Sequence, residues 1–254
     1  MKPFEIIAHR GLTSFAPENT IEAFQLALDH GADGVEMDIR LTSDRIPVVY
    51  HYCYLTGYTD TEGIIFDFSL SDLHDVRIPY KNQPEMPTLA IPTFREVLDQ
   101  FAGKFNLEIE IKGPQPYSPD IIGEMLLDYK THWPMMEITS FEPAYLLAVQ
   151  KKCKGIICNL LFPRSEPWMG IDVMQFIAVQ RTRLAKAQAV HLHPSQLTEE
   201  VVDYVRKHDI EIHAWDVNSI RDLELCAQME IPRICTDKFE QALAFHKSHF
   251  ETNE

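Results

Sequence analysis

Strand-like and helix-like runs alternate along the whole 254-residue chain, and that alternation constrains the fold more than any single motif. Short apolar runs occur at 4–11 (FEIIAHRG), 34–40 (GVEMDIR), 46–52 (IPVVYHY) and 105–112 (FNLEIEIK). Five more follow at 136–141, 155–162, 189–194, 210–217 and 232–237. Helical patterning separates most of them. NTIEAFQLALDHG places Ile21, Phe24, Leu26 and Leu28 on one flank and stops at Gly31, a residue suited to a left-handed helix end. LTEEVVDYVRKHD begins at Thr198 with acids in its first turn and bases near its end, as the helix dipole favours, and SIRDLELCAQM opens on Ser219, an N-cap residue type. Strands separated by helices usually pair in parallel and are covered on both faces. With no break in composition, the pattern predicts an α/β fold, a single (β/α)8 barrel spanning residues 1–254. A doubly wound open sheet is the rival, but no glycine-rich turn follows the first strand. Nine strand candidates for eight barrel positions make one of them an extra arm, expected within 34–52.

Residues 53–91 break the rhythm. Tyr54, Tyr58, Phe66, Phe68 and Tyr80 stand there among Asp and Thr, with no clear strand. Long insertions in compact domains are commonly binding loops or lids, and a surface excursion packed on its own aromatics is the plainer alternative.

Two of the strands carry an unexpected pattern. In LEIEIK, Leu107, Ile109 and Ile111 alternate with Glu108, Glu110 and Lys112, and in VEMDIR the apolar residues alternate with Glu36, Asp38 and Arg40. Side chains alternate faces along a strand, so each strand sends an acidic row to one side, and in a barrel that side is the interior. Buried carboxylates must be protonated, paired or metal-bound. Arg40 and Lys112 offer pairing, but the acids lie near the carboxyl ends of their strands, where barrel enzymes place active sites. Oxygen ligands without thiolates suit a hard cation such as Mg²⁺ or Ca²⁺. His9 and His51 also stand at strand ends, and imidazole is the usual acid–base group near neutrality. His191, His193 and His213 rank lower, because no acidic row accompanies them in their own strands.

A net charge of −15 argues against a nucleic-acid partner, but a bound cation would still permit a small anionic substrate. Five cysteines without a CxxC pair suggest reduced thiols in the cytoplasm. MKPFEIIAHRG has no apolar signal core, and no apolar run approaches the roughly 20 residues that cross a bilayer. The expectation is a cytoplasmic protein with no membrane span.

HRG at 9–11, PENT at 17–20 and GADGVEMDIRLTSDRIPVVYH at 31–51 resemble the glycerophosphodiester phosphodiesterase family. So do IPTFREVL at 91–98, IEIK at 109–112, SFEP at 140–143, WDVN at 215–218 and TD at 236–237, in the family's order. The resemblance implies a TIM barrel that cleaves glycerophosphodiesters to an alcohol and sn-glycerol 3-phosphate with one divalent cation, Mg²⁺ or Ca²⁺, with Mn²⁺ also accepted. By motif it makes His9 and His51 the acid–base pair and Glu36, Asp38 and Glu110 the metal ligands. Arg10 and Lys112 would contact phosphate, and Trp215 would line the glycerol pocket or serve as a core residue. Glu110, not Glu108, matches the ligand position, which leaves Glu108 about 7 Å deeper as an interior ion-pair or supporting group. Glu18 and Asn19 are expected to order the first loop or cap its helix. The sequence departs from the family after His51, where HYCYLTGYTDTEG replaces the usual His-Asp and Leu-x-Arg-Thr-Thr-like run. That change bears on substrate preference, so a barrel phosphodiesterase acting on lysophospholipids or another head group is the enzymatic alternative. A catalytically silent phosphodiester-binding barrel is the alternative from outside the enzymes.

Overall fold

The computed structural model describes residues 4–80 and 85–250, so residues 81–84 of the 53–91 insertion and both extreme termini lie outside the described residues. Eight parallel strands close into a barrel: β1 (Glu5–His9), β2 (Gly34–Leu41), β6 (Asn106–Ile111), β7 (Met136–Ser140), β8 (Ile157–Leu161), β9 (Ala189–Leu192), β10 (Glu211–Ala214) and β11 (Arg233–Thr236). β1 pairs with both β11 and β2, which completes the ring. The ninth candidate is the extra arm: β3 (Pro47–Val49) runs antiparallel to the end of β2, with Ile39 opposite Val49.

Alternation explains where the apolar core sits. Ile6, Ala8, Val35, Met37, Ile39, Leu107, Ile109 and Ile138 belong to one cluster with the helices α1 (Ile21–Asp29), α3 (Phe94–Phe101), α4 (Ser118–Leu127) and α5 (Pro143–Lys152). Phe24 of α1 meets Phe101 of α3 edge to face at 6.0 Å, and both are fully buried. The helices α6 (Ile171–Leu184), α7 (Glu199–Arg206), α8 (Ile220–Gln228) and α9 (Phe239–Phe250) continue the outer ring. Thr198 and Ser219 cap α7 and α8 through their hydroxyls, as the sequence predicts, and Gly31 follows α1 with φ +79°. The buried stripe of α1 is Ala23, Phe24 and Ala27, whereas Ile21, Leu26 and Leu28 pack only at its margin.

Residues of the opposite parity fill the lumen, and they are largely polar. Glu36, Asp38, Glu108, Glu110, Glu137, Asn159, His191 and His213 are all buried there. Glu36 stands beside Glu108 and Asp38 beside Glu110 in the β2–β6 register, so the two acidic rows are adjacent. Gly34 starts the β2 row because a Cβ there would lie 2.4 Å from the Asn106 carbonyl oxygen.

The insertion builds a small core of its own. Leu55, Ile65, Leu73, Val76 and Ile78 pack with Val48 and Tyr50, and Tyr52, Tyr58, Phe66 and Phe68 cover them. It also holds a short helix α2 (Leu70–Leu73) and a two-residue antiparallel pair, β4 (Arg77–Ile78) with β5 (Leu89–Ala90), which no pattern in the sequence announces. Among the described residues no helix is long and apolar enough to cross a membrane.

Candidate active site

Seven of the eight residues singled out from the sequence line one cavity of about 190 Å³ at the carboxyl end of the barrel: His9, Arg10, Glu36, His51, Glu110, Lys112 and Trp215. The eighth, Asp38, lies fully buried directly behind its wall. His9 ends β1, Glu36 and Asp38 come from β2, Glu110 and Lys112 from the end of β6, and His51 from the turn after β3.

The three carboxylates converge, each offering an oxygen within 4.8 Å of the others. Lys112 Nζ lies 2.6 Å from Glu110 Oε2 and 3.0 Å from Asp38 Oδ1. The second contact lacks hydrogen-bond geometry, so Asp38 Oδ1 keeps its lone pairs. Arg10 Nε stands 3.1 Å from Asp38 Oδ2, and its Nη1 lies 3.2 Å from Glu18 Oε1. Two cations therefore face three acids, and the charges do not balance. Burial, reinforced by the Asp38 charge, pushes Glu36 well above the carboxylate range, and burial likewise raises Glu110 despite Lys112. Asp38 moves the other way: burial opposes its charge, but Lys112 and Arg10 hold it well below the usual range. Three converging carboxylates, two of which burial holds toward the neutral form, fit a divalent cation.

The two histidines sit in opposite environments. His9 Nδ1 is 2.6 Å from Asp237 Oδ1, and His9 Nε2 is 3.7 Å from Glu36 Oε2. Burial disfavours the imidazolium, yet the Asp237 hydrogen bond and the Glu36 charge outweigh it and raise His9 to about 9. His51 Nδ1 is buried without a hydrogen-bond partner. Burial pushes His51 down to about 3, with Asp38 opposing and Arg10, Lys112 and Arg40 adding to the fall. At neutral pH one ring is charged and the other neutral.

Three residues play parts that sequence reasoning did not assign. Asp237, just beyond β11, orients His9, and Asn218 holds the other Asp237 oxygen at 2.8 Å. Asn19 does not cap a helix. Its amide donates to Asp38 Oδ2 at 2.8 Å and its carbonyl oxygen accepts from Asp38 N at 3.2 Å, while Thr20 caps α1. Its φ of +57°, a conformation that asparagine tolerates better than most residues, turns the side chain back on β2. Glu18 braces Arg10. Arg40 is no counter-ion for the acids: its Nε and Nη1 donate to the His51 and Gly113 carbonyl oxygens, both at 2.7 Å, and lock the strand ends together.

Trp215 is partly exposed, edge-on to Phe141 and His193, and its indole N–H donates to the Phe162 carbonyl oxygen at 3.2 Å. It is a cavity wall, not a core residue. A second cavity of about 230 Å³ adjoins the first and shares His51 with it. Tyr50, Tyr52, Tyr58, Tyr80 and Glu18 line it, and the Tyr52 and Tyr58 rings stack at 3.4 Å. The tyrosines that depart from the family pattern thus build a wall beside His51.

The model of the glycerophosphoryl diester phosphodiesterase family matches residues 9–241. A glycerophosphodiester phosphodiesterase of Caldanaerobacter subterraneus subsp. tengcongensis is 30% identical over 240 residues, covering 91% of this chain and 93% of that one. A crystal structure of a glycerophosphodiester phosphodiesterase from Thermotoga maritima superimposes with a TM-score of 0.75 at 26% identity, covering 96% of this chain and 99% of that one. The fold is also that of an Oleispira antarctica phosphodiesterase solved in complex with the product sn-glycerol-3-phosphate, with a TM-score of 0.80, 24% identity and 96% of each chain covered. With the family match extending from the first site histidine to the last helix, this chain belongs to the glycerophosphoryl diester phosphodiesterase family.

Proposed function

We propose that the protein hydrolyses glycerophosphodiesters to an alcohol and sn-glycerol 3-phosphate, with His9 and His51 as the acid–base pair. The carrying observation is geometric: two imidazoles, His9 bonded to Asp237 and His51 with a buried unpartnered Nδ1, line one cavity with Arg10, Lys112, Glu36 and Glu110, and Asp38 lies behind them. Groups whose environments push their pKa values apart are suited to opposite proton transfers. One ring accepts a proton from the attacking water or substrate hydroxyl and the other delivers one to the leaving alkoxide; where the substrate hydroxyl attacks, water then opens the cyclic phosphate. Asp237 fixes the His9 ring and keeps its Nδ1 proton in place, leaving Nε2 for chemistry. Arg10 and Lys112 contribute positive charge to the phosphoryl oxygens as charge builds on them. Asn19 and Glu18 hold Asp38 and Arg10 in register before substrate arrives.

Glu36, Asp38 and Glu110 would hold a single hard divalent cation, Mg²⁺ or Ca²⁺, with Mn²⁺ also accepted. When bound, that cation supplies Lewis-acid charge stabilisation to the phosphodiester. Trp215 forms the wall against which the glycerol carbons rest. The aromatic cavity beyond His51 receives a substituent of the diester. Four tyrosines and a carboxylate suit a head group bearing an ammonium charge.

Turnover of glycerophosphocholine and glycerophosphoethanolamine, with and without EDTA, tests this reading. Activity that vanishes on chelation and returns with Mg²⁺, Mn²⁺ or Ca²⁺ is expected. Full activity in metal-stripped protein would sink the metal assignment, and no turnover of any glycerophosphodiester would leave the silent-barrel alternative.

A further inference from the structure

The lumen holds a second convergent set of ligand-type side chains, at the end opposite the catalytic cavity. Glu137 of β7, His191 of β9 and His213 of β10 are all buried. His191 Nε2 lies 2.7 Å from Glu137 Oε1 and 3.0 Å from His213 Nδ1, and His213 Nδ1 lies 3.6 Å from the same oxygen. Three atoms so spaced can all be reached by one ion at the ~2.0–2.2 Å typical of zinc–nitrogen and zinc–oxygen bonds.

The outer nitrogens complete the pattern. His191 Nδ1 faces Glu108 Oε1 at 3.4 Å, and His213 Nε2 is 2.9 Å from Glu211 Oε1. His213 therefore turns one nitrogen to a hydrogen-bonding carboxylate and the other to the common point, the arrangement by which carboxylates orient metal-bound histidines, while His191 Nδ1 faces Glu108 without a hydrogen bond. The third donor is braced as well: Arg233 Nη1 donates to Glu137 Oε2 and Asn159 Nδ2 to Glu137 Oε1.

A proton network alone does not satisfy this cluster. Two imidazole nitrogens 3.0 Å apart cannot both carry hydrogen, so the pair cannot be doubly charged with both inner nitrogens protonated. Arg233 pairs with Glu5 and Glu137, while Glu108 faces His191 and Glu211 faces His213. Two buried atoms, His191 Nδ1 and Glu108 Oε2, have no hydrogen-bond partner. Burial of unpaired polar groups is costly, and these two atoms leave the cluster incompletely satisfied.

We propose that Glu137, His191 and His213 form a second metal site, distinct from the hard-cation site above it and selective for a borderline-soft ion of the Zn²⁺ type. Two imidazoles and one carboxylate suit zinc or cobalt better than magnesium or calcium. A cavity of about 420 Å³ at the amino-terminal end of the barrel is lined by Glu137, His213, Arg233 and Glu211, and gives a route to two of the three donors. The ion would tie β7, β9 and β10 together, and its binding only to the folded chain would stabilise the fold by mass action. This inference is independent of the catalytic reading.

The test removes the upper site first. Metal-free protein carrying Glu36→Gln and Glu110→Gln is dialysed against micromolar Zn²⁺ and, separately, Co²⁺ as an optical probe. One ion per chain, a visible Co²⁺ spectrum of nitrogen-ligated type and a Tm that rises with Zn²⁺ but not Mg²⁺ are expected. Adding His191→Gln or His213→Gln should weaken binding at least ~10-fold. Failure of the Glu36→Gln, Glu110→Gln protein to retain Zn²⁺ overturns the proposal without any need for the base variants to fold. Retention unaffected by the histidine substitutions overturns it too.

Discussion

The two ends of the lumen are built from the same residue types, carried by β1, β2 and β6 above and by β6, β7, β9, β10 and β11 below, yet they differ in balance and access. At the upper end Glu36, Asp38 and Glu110 face Arg10, Lys112 and two histidines, and the cavity opens where the loops diverge. Two residues deeper, Glu108 and Glu137 meet His191, His213 and Arg233 inside the closed ring. The difference is what each set of side chains is still able to do. Above, Arg10 and Lys112 pair with the acids at the wall of an open cavity. Below, Arg233 is tied to Glu5 and Glu137 at once, His213 is hydrogen-bonded through both nitrogens and His191 through Nε2. A barrel with a polar lumen divides it into a working layer and a tied layer.

Substitutions can break that division. The largest expected effect is on stability, from Glu137→Ala. Removing one partner of a buried ion pair leaves the other uncompensated and typically costs ~3–5 kcal/mol. Urea unfolding should show the loss, and a shift below about 1 kcal/mol would mean the lower layer is not tied as described. Next comes the contrast within β6. Glu110→Gln should cut kcat/KM by ~10²–10³-fold, the usual worth of one preorganised charge-stabilising element, whereas Glu108→Gln should change metal affinity and turnover far less. Equal kinetic losses at the two positions would erase the distinction between layers.

The histidines of the upper layer come third. His9→Ala and His51→Ala should each lower kcat by at least ~10²-fold on an alkyl diester, with folding retained. The double variant should lose little more than either single one, because groups acting as a unit are not additive. A p-nitrophenyl diester needs little protonation of its leaving group, so it should rescue one variant and thereby identify the acid. Near-normal turnover by both variants would reduce these imidazoles to structural groups like those below.

Smaller effects belong to the rim. Tyr52→Asp and Tyr58→Thr should redistribute kcat/KM among glycerophosphodiesters by roughly tenfold or less, with ammonium-bearing head groups losing most. A uniform change across the panel would remove the aromatic wall from selectivity. The smallest expected effect is a pH dependence. Burial would raise Asp237, but the hydrogen bonds from His9 and Asn218 bring it down from 3.8 to about 2. The folded chain then binds this proton less tightly than the unfolded one. The stabilisation is present above 3.8 and is lost as the pH falls through about 2. Asp237→Asn should therefore lower the urea midpoint more at pH 6 than at pH 2.5, and an equal shift at both would contradict the sign.

Much of the working layer was legible because it is local. His9, Glu36, Asp38, Glu110 and Lys112 sit at strand ends in strands whose parity can be read directly, and period-2 alternation admits one assignment of faces. The lower layer was not legible, because its members are scattered. His191 has no acid in its own strand and His213 only Glu211, and the buried acids they meet, Glu137 and Glu108, arrive from β7 and β6. Asn19 read as a capping residue because its type suits a helix start, and only its left-handed backbone reveals that it turns toward Asp38.

Alternation of strands and helices, the parity of the two acidic rows, the extra arm near residue 47 and the helix caps at Thr198 and Ser219 are all consequences of short-range chemistry, and the sequence determined them by itself. Closure of the ring decided the rest. It brought Asp237 from the end of the chain onto His9, sent Arg40 to backbone carbonyls instead of the acids, and gathered Glu137, His191 and His213 from three strands at the barrel base. The physical reason is that burial and charge pairing depend on which groups meet across the lumen, and those partners lie up to 228 residues apart in the chain.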